Sequence, residues 1–391
     1  MIEGRVGNSL LALAAAALAA LLPAGCGGVG VGGTGAYVSS LIAGFGSVFV
    51  GAVEFDDSGA TVLDDDGQPV QRTGNELRLG MTVDVDGSGG SGATPGASAS
   101  ASSFRISTAA LGPVDAVDAA AGTLSVLGQQ IQVNAATVFD PSLHGGLRSI
   151  RGGDVIAAYA MPDAVGGRYL GMRIERAAGA SAYRLRGLVS AVDPTQHTMM
   201  IGGATLDYSH AAGVPPNLAA GQIVRVRLPG AAGSGTLGVD AFAGAASPLA
   251  DGDSVGIDGL VTSFQGPGAF AVNGLAVDAS GARIDATSAA LWPGAFVSVL
   301  GRETGGTVQA QTVKILSAGE VAARKFQLVG TITSLDTAAQ TFTVRNSVVD
   351  YSAAAFSNGS ASNLAIGVRV RVQGAPASDP ALIGAAQITF F

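Results

Sequence analysis

One cysteine, three histidines and two lysines are all that 391 residues contain of these types. A lone thiol, Cys26, cannot close an intramolecular disulfide and leaves no cysteine-rich metal site. His144, His197 and His210 stand far apart, with no carboxylate or second histidine at ligand spacing, and read as turn or surface residues. Charged residues make up 13% and aromatics 5%, where an ordinary globular domain has about 25% charged residues. A formal charge of −8 with 21 basic residues excludes an electrostatic nucleic-acid binder, which sets clustered Lys and Arg against phosphates. Catalytic motifs are missing as well: there is no Gly-x-Ser-x-Gly elbow with a plausible His and acid, and no phosphate-cradling Gly-x-x-x-x-Gly-Lys loop. No catalytic residue, cofactor or metal is therefore expected, and the chain reads as a non-enzyme.

What is plentiful is glycine, 59 residues, within a composition that is 48% hydrophobic. That mixture suits many short strands joined by glycine turns, and suits neither long helices nor disorder.

The N-terminus has the layout of a secretory signal. MIEGRVGNS is short and polar, and Leu10 to Leu22 is an uninterrupted run of 13 apolar residues. A bilayer-spanning helix needs about 20. Ala24-Gly25-Cys26 follows and resembles the lipobox of bacterial lipoproteins. That resemblance implies a signal peptide over 1–26, with Cys26 acylated as the new N-terminus and the protein held at a membrane by more than one acyl chain, as stable anchoring requires. The alternative is an ordinary signal peptide cut near Ala24, with Cys26 an incidental thiol. Residues 27–36 form a glycine-rich tether. Gly27 rather than Asp after the cysteine implies, by the sorting habit of such lipoproteins, an exported protein of the outer membrane facing the periplasm or the surface.

The remainder is repetitive, and a fixed period is the first thing to test in a long chain. Gly-x-x-Val-x-Val recurs at Gly80, Gly221, Gly294 and Gly367, with a weaker copy at Gly153. Upstream of it an apolar strand end is followed six residues later by an Asp, giving Asp56, Asp207, Asp278 and Asp350, with Asn134 in the weaker copy. These landmarks divide the chain into units over 37–109, 110–180, 181–250, 251–318 and 324–391. Each carries about five short strands, with the longest link between the third and the fourth. The expected fold is all-β, a tandem array of about five small five-stranded OB-like barrels; a sandwich or a β-solenoid is the alternative. Units of this size are near the lower limit for folding alone, so neighbouring copies are expected to pack through their faces. Gly87 to Ser103, without a large apolar residue, reads as a disordered loop in the first unit.

The tandem unit, and above all GTGAYVSSLIAGFGSVFVGAVEFD following the tether, resembles the bacterial domain of unknown function 5666 family. The resemblance implies repeats in an exported lipoprotein. It brings no activity, ligand or catalytic residue with it.

Candidate binding residues are few. Strict alternation places Arg225 and Arg227, and Arg369 and Arg371, on the outward side of a fourth strand. They could form basic stripes for an acidic partner; a solvated strand face is the favoured reading. The equivalent outward positions elsewhere, including Asp84 and Tyr159, change even the sign of their charge, which argues against five identical sites. Trp292 or Tyr159 could stack on a ligand, core or turn packing being favoured for Trp292. Asp64-Asp65-Asp66-Gly67 lacks calcium-loop spacing and reads as a solvated turn. The repeated aspartates read as turn residues that accept nearby backbone amides. The function expected is a structural or binding role toward an envelope polymer or another protein. The alternatives are an oligosaccharide- or peptide-binding module using one specialised repeat, and an enzyme of unidentified type.

Overall fold

The computed structural model describes residues 36–50, 53–71, 73, 76–88, 98–162, 168–230, 235–243, 249, 251–285, 290–317, 320 and 325–391. The signal segment, Cys26 and the tether as far as residue 35 lie outside these residues.

The described residues are nearly all strand and turn. The first segment holds β1 (Ala36–Phe45), β2 (Val48–Val50), β3 (Val53–Asp56), β4 (Thr61–Leu63), β5 (Thr82–Ser88) and β6 (Ser98–Ile106). β1, β2 and β3 form an antiparallel meander, β3 runs parallel to β6, β6 is antiparallel to β5, and β5 returns to β1. The ring is a closed five-stranded barrel, and closure removes the sheet edges that invite pairing with other chains. β4 adds parallel pairing to the end of β6. Phe55 and Phe104 meet edge to face inside, with centroids 6.2 Å apart.

The same pairings recur along the chain. The second segment has β7 (Ala110–Asp118), β8 (Thr123–Val126), β9 (Gln129–Gln132), β10 (Val138–Phe139), β11 (Val155–Pro162) and β12 (Tyr169–Arg176). In the third, β13 (Ala182–Asp193), β14 (Thr198–Ile201), β15 (Ala204–Asp207) and β16 (Ile223–Pro229) are followed by two short pieces, β17 (Leu237–Gly238) beside β15 and β18 (Ala241–Phe242) beside β16. The fourth runs β19 (Ser254–Gly266), β20 (Ala269–Val272), β21 (Leu275–Asp278), β22 (Arg283–Asp285), β23 (Phe296–Thr304) and β24 (Thr307–Ile315). The fifth splits its first strand into β25 (Phe326–Thr331) and β26 (Ser334–Asp336) and continues with β27 (Thr341–Val344), β28 (Ser347–Asp350), β29 (Ala355–Ser357), β30 (Arg369–Pro376) and β31 (Ile383–Phe390).

Both landmarks have a physical reason. Gly80, Gly153, Gly221, Gly294 and Gly367 all sit at φ between +79° and +91°, backbone that a Cβ disfavours. In that conformation each glycine N–H donates 2.8–2.9 Å to one first-strand carbonyl, of Ile42, Val114, Val189, Val261 and Ile332 in turn. The N–H of that same first-strand residue donates back to the residue after the glycine. In the first four segments the ladder also shifts register there, so the clamp coincides with a bulge of the kind that bends a long strand. The repeated acids behave as turn residues: Asp56, Asp207, Asp278 and Asp350 accept the N–H of Ser58, Ser209, Ser280 and Ser352, and Asn134 accepts that of Ala136. Hydrogen bonds from those serines hold the Asp56, Asp207 and Asp278 carboxyls below the usual range.

The expected disordered loop over 87–103 needs correction at both ends. β5 runs to Ser88 and β6 begins at Ser98; residues 89–97 lie outside the described residues. Ala99 and Ala101 are buried while Ser100 and Ser102 are exposed, so the serine–alanine run is an alternating strand with small inward residues.

The segments pack out of sequence order. One hydrogen-bonded network holds β1–β6 with β19–β31, and a second holds β7–β18. The two ends of β1 serve different neighbours, Ala36–Ser39 running parallel to Ser254–Ile257 of β19, and Gly44 and Phe45 parallel to Gln327 and Leu328 of β25. A Cβ on Gly44 would sit 2.7 Å from the Gln327 carbonyl oxygen, so only glycine admits that approach. β7 joins β13 in the second network.

Replacing Gly367 by Ala isolates the left-handed strain, because nothing lies within 4 Å of the added Cβ. Gly367→Ala is expected to cost about 1–2 kcal/mol. Gly59→Ala, equally open and without positive φ, should be neutral or gain up to about 1 kcal/mol. Denaturant midpoints of the two variants check both.

Candidate functional site

The third segment carries an unusual amount of positive charge on one face. In the β13–β16 ladder Arg184 lies opposite Arg227, and Arg186 opposite Arg225. Their neighbours Leu185, Val224, Val226 and Leu228 are buried in an apolar core, so period-two alternation puts all four arginines on the opposite face. Like charges directly opposite one another destabilise a ladder unless something answers them.

The first segment supplies the answer. Arg184 forks onto Asp66, Nε to Oδ1 at 3.1 Å and Nη2 to Oδ2 at 2.5 Å. Arg225 donates through Nη2 to Asp84 Oδ2 and, at 3.0 Å, to Ser107 Oγ. Asp84 also accepts Ser39 Oγ at 2.7 Å. It is 3% exposed; burial works to raise its pKa, but Arg225 and Arg186, with the Ser39 bond, outweigh burial and hold the carboxyl below its usual range. Asp65 beside it accepts the N–H and Oγ1–H of Thr108 at 2.7 and 2.5 Å; burial is its dominant influence and pushes it up. Arg227 reaches Asp240 only at 3.9 Å, on the surface. Arg186 makes no ion pair among the described residues, and its Nε is buried without a hydrogen-bond partner, as is Nη1 of Arg225.

A cavity of about 530 Å³ opens beside these two arginines. Tyr37, Ser39 and Asp84 of the first segment, Arg186, Ile223, Arg225 and Phe242 of the third, and Ile257, Asn273 and Leu275 of the fourth contribute to its wall. Tyr37 is buried, and burial followed by the Asp84 charge pushes its hydroxyl well above the ordinary phenol range, so it stays a neutral donor. No one segment contains the site.

The residues singled out from the sequence are scattered over the molecule. Arg225 is at the site, but its face is not solvated: the acidic partner it meets belongs to the same chain. Arg227 is exposed and does not line the cavity. Arg369 and Arg371 are exposed, as expected, and lie over the Phe391 ring at 5.5 and 5.2 Å. Tyr159 is buried between the second segment and the first, near Glu175, which accepts from Arg173 Nε and from Arg78 Nη1 at 2.8 Å; it offers no open stacking surface. Trp292 occupies the expected turn, its carbonyl accepting the Ala295 N–H at 2.9 Å, yet it is 42% exposed and not in the core. The acidic turn is not solvated either: Asp64 caps it through the Asp66 and Gln68 N–H groups, and its other two acids bind outside it, Asp66 to the third segment. Among the histidines, His144 pairs with Asp379 of the fifth segment at 2.8 Å. Cys26 lies outside the described residues.

Arg186, Tyr37, Ser39 and Asn273 were missed from the sequence. A signal for Arg186 was present: Tyr183-Arg-Leu-Arg186 and Val224-Arg-Val-Arg227 are two alternating basic strands within one unit.

Residues 112–175 and 329–384 match the family described as Domain of unknown function (DUF5666). These DUF5666 regions correspond to most of the second and fifth segments, and each contains its left-handed glycine clamp. The stretch after the tether, on which the resemblance was most apparent, lies outside both matches. No curated protein matches the chain.

Removing the Asp84 carboxylate leaves Arg225 buried without its ion-pair partner, so Asp84→Ala should cost about 3–5 kcal/mol. Because the folded pKa is lowered, this contribution is present above the unfolded value of about 3.9 and is lost as pH falls through the folded value. Denaturation of wild type and Asp84→Asn should therefore show a wide stability gap at neutral pH that narrows below about pH 4.

Proposed function

We propose that this is a non-enzymatic, exported lipoprotein of the bacterial cell envelope, built from five OB-like barrels and acting as a binding module. In the first, second and fourth segments the pairings run first, second, third, fifth and fourth strand, back to the first, with the third and fifth parallel. That order supports the OB-like reading, most completely in the first, second and fourth segments. The observation that carries a binding role is the cavity between segments, because its polar groups come from three of them. Structural glue alone would leave no reason for a cavity flanked by buried, partnerless guanidinium nitrogens. The acylated N-terminus would hold this module at the membrane, with the glycine-rich tether between.

Two experiments test the proposal. Mass spectrometry of the mature protein should find an acylated N-terminal Cys26; a fragment beginning elsewhere with an unmodified thiol removes the anchor. Thermal-shift measurements with small envelope-derived compounds should find at least one that raises the melting temperature of wild type and not of Leu275→Trp, which fills the cavity from the fourth segment. Equal shifts in both proteins contradict binding in this cavity.

A second reading, oligosaccharide binding, is favoured by one observation. Trp292 is exposed, and the next two residues, Pro293 and Gly294, wall a separate cleft of about 830 Å³ that also contains Arg168 and Tyr169. Soluble envelope glycans should quench the fluorescence of this lone tryptophan if that cleft is used, and unchanged emission at saturating glycan rejects it.

A further inference from the structure

We infer that the cavity between the first, third and fourth segments is a site for a small organic carboxylate, held by Arg186 with the adjoining edge of Arg225. The inference rests on the binding reading above and adds the chemistry of the ligand.

Four outward arginines share the β13–β16 face, and three of them have a carboxylate within 4 Å: Asp66 for Arg184, Asp84 for Arg225 and Asp240 for Arg227. Arg186 has none among the described residues, although the register sets it directly against Arg225. The nearby acids are already engaged. Asp84 is taken by Arg225 and Ser39, Asp65 by Thr108, and Asp258 accepts Ser40 Oγ at 2.6 Å. The result is a half-buried guanidinium with no ion pair of its own among the described residues, plus two buried nitrogens, Arg186 Nε and Arg225 Nη1, without hydrogen-bond partners. Arg186 itself is only half-buried and lines the cavity, and an unpaired guanidinium at a cavity wall is what an incoming anionic acceptor answers.

The guanidinium fork selects the acceptor. It is planar and matches the two oxygens of a carboxylate, forming the short, charge-assisted pairs that are stronger than neutral hydrogen bonds. Around it, Tyr37 and Asn273 present polar groups while Ile223, Ile257 and Leu275 are apolar. The volume of about 530 Å³ falls within the range of about 300–1,000 Å³ usual for small-molecule sites. A ligand bearing its carboxylate at one end of a compact, partly apolar body fits these walls. A uronic acid and the C-terminus of a short peptide share that chemistry.

Calorimetric titration of the full chain distinguishes them, using two acids with their neutral counterparts: glucuronate against glucose, and N-acetyl-leucine against N-acetyl-leucinamide. One acid should bind at least about tenfold more tightly than its neutral counterpart, and the pair that responds identifies the source. Arg186→Gln should weaken that acid at least about tenfold while melting at the same temperature as wild type or higher, since it removes the Arg–Arg repulsion. If neutral compounds bind as well as the acids and are lost in Leu275→Trp, the cavity is a binding site but the carboxylate assignment falls. The assignment also falls if no acid binds at millimolar concentration, if Arg186→Gln binds the acid unchanged, or if it melts well below wild type.

Discussion

A pair of backbone hydrogen bonds, made possible by one glycine in left-handed conformation, bends the first strand of every segment and brings its fourth strand alongside. The rest of the molecule depends on that bend. In the first segment the sheet closes on itself, and the strand pairings behind that closure recur in the other segments, each with an outward face free to vary. The inward residues have one task, filling the interior, and so stay apolar, mostly Val, Ile, Leu, Phe and Ala. The outward residues have different tasks in different copies, which is why Asp84, Tyr159 and Arg225 occupy equivalent strands.

Those outward faces build the assembly. β1 lends its two ends to two other segments, and the cores follow: one cluster runs through the first and fifth segments and reaches Tyr159 and Met172 of the second, while another joins the second and third. Where the third segment meets the first, ion pairs join these apolar contacts, with Arg184 and Arg225 on one side and Asp66 and Asp84 on the other. Buried pairs of this kind add little net stability over an apolar contact, yet breaking one is costly. Their effect here is to fix which faces meet. Arg186, the one member of the stripe left unanswered, faces the cavity.

Much of the architecture was legible in the sequence because it follows from local chemistry. A glycine before Val-x-Val and an Asp six residues after an apolar strand end have reasons that lie in φ and in backbone amides, and both sit at turns in the structure. The small-residue strand at Ser98–Ile106 was harder to read, since alternation of serine with alanine has almost no contrast in hydrophobicity. The candidate site was least legible. Alternation shows which side of a strand a residue takes but not what stands beyond it, so outward Arg225 passed for solvated when its partner Asp84 lies 141 positions earlier. Packing out of sequence order places such partners beyond any local pattern.

The claim that joins these observations is that the segments share their outward faces and therefore behave as one body. Scanning calorimetry of the full chain at neutral pH tests it most directly. A shared body predicts a single cooperative transition, or at most two that follow the two hydrogen-bonded networks; five separable transitions, one for each segment, would contradict it.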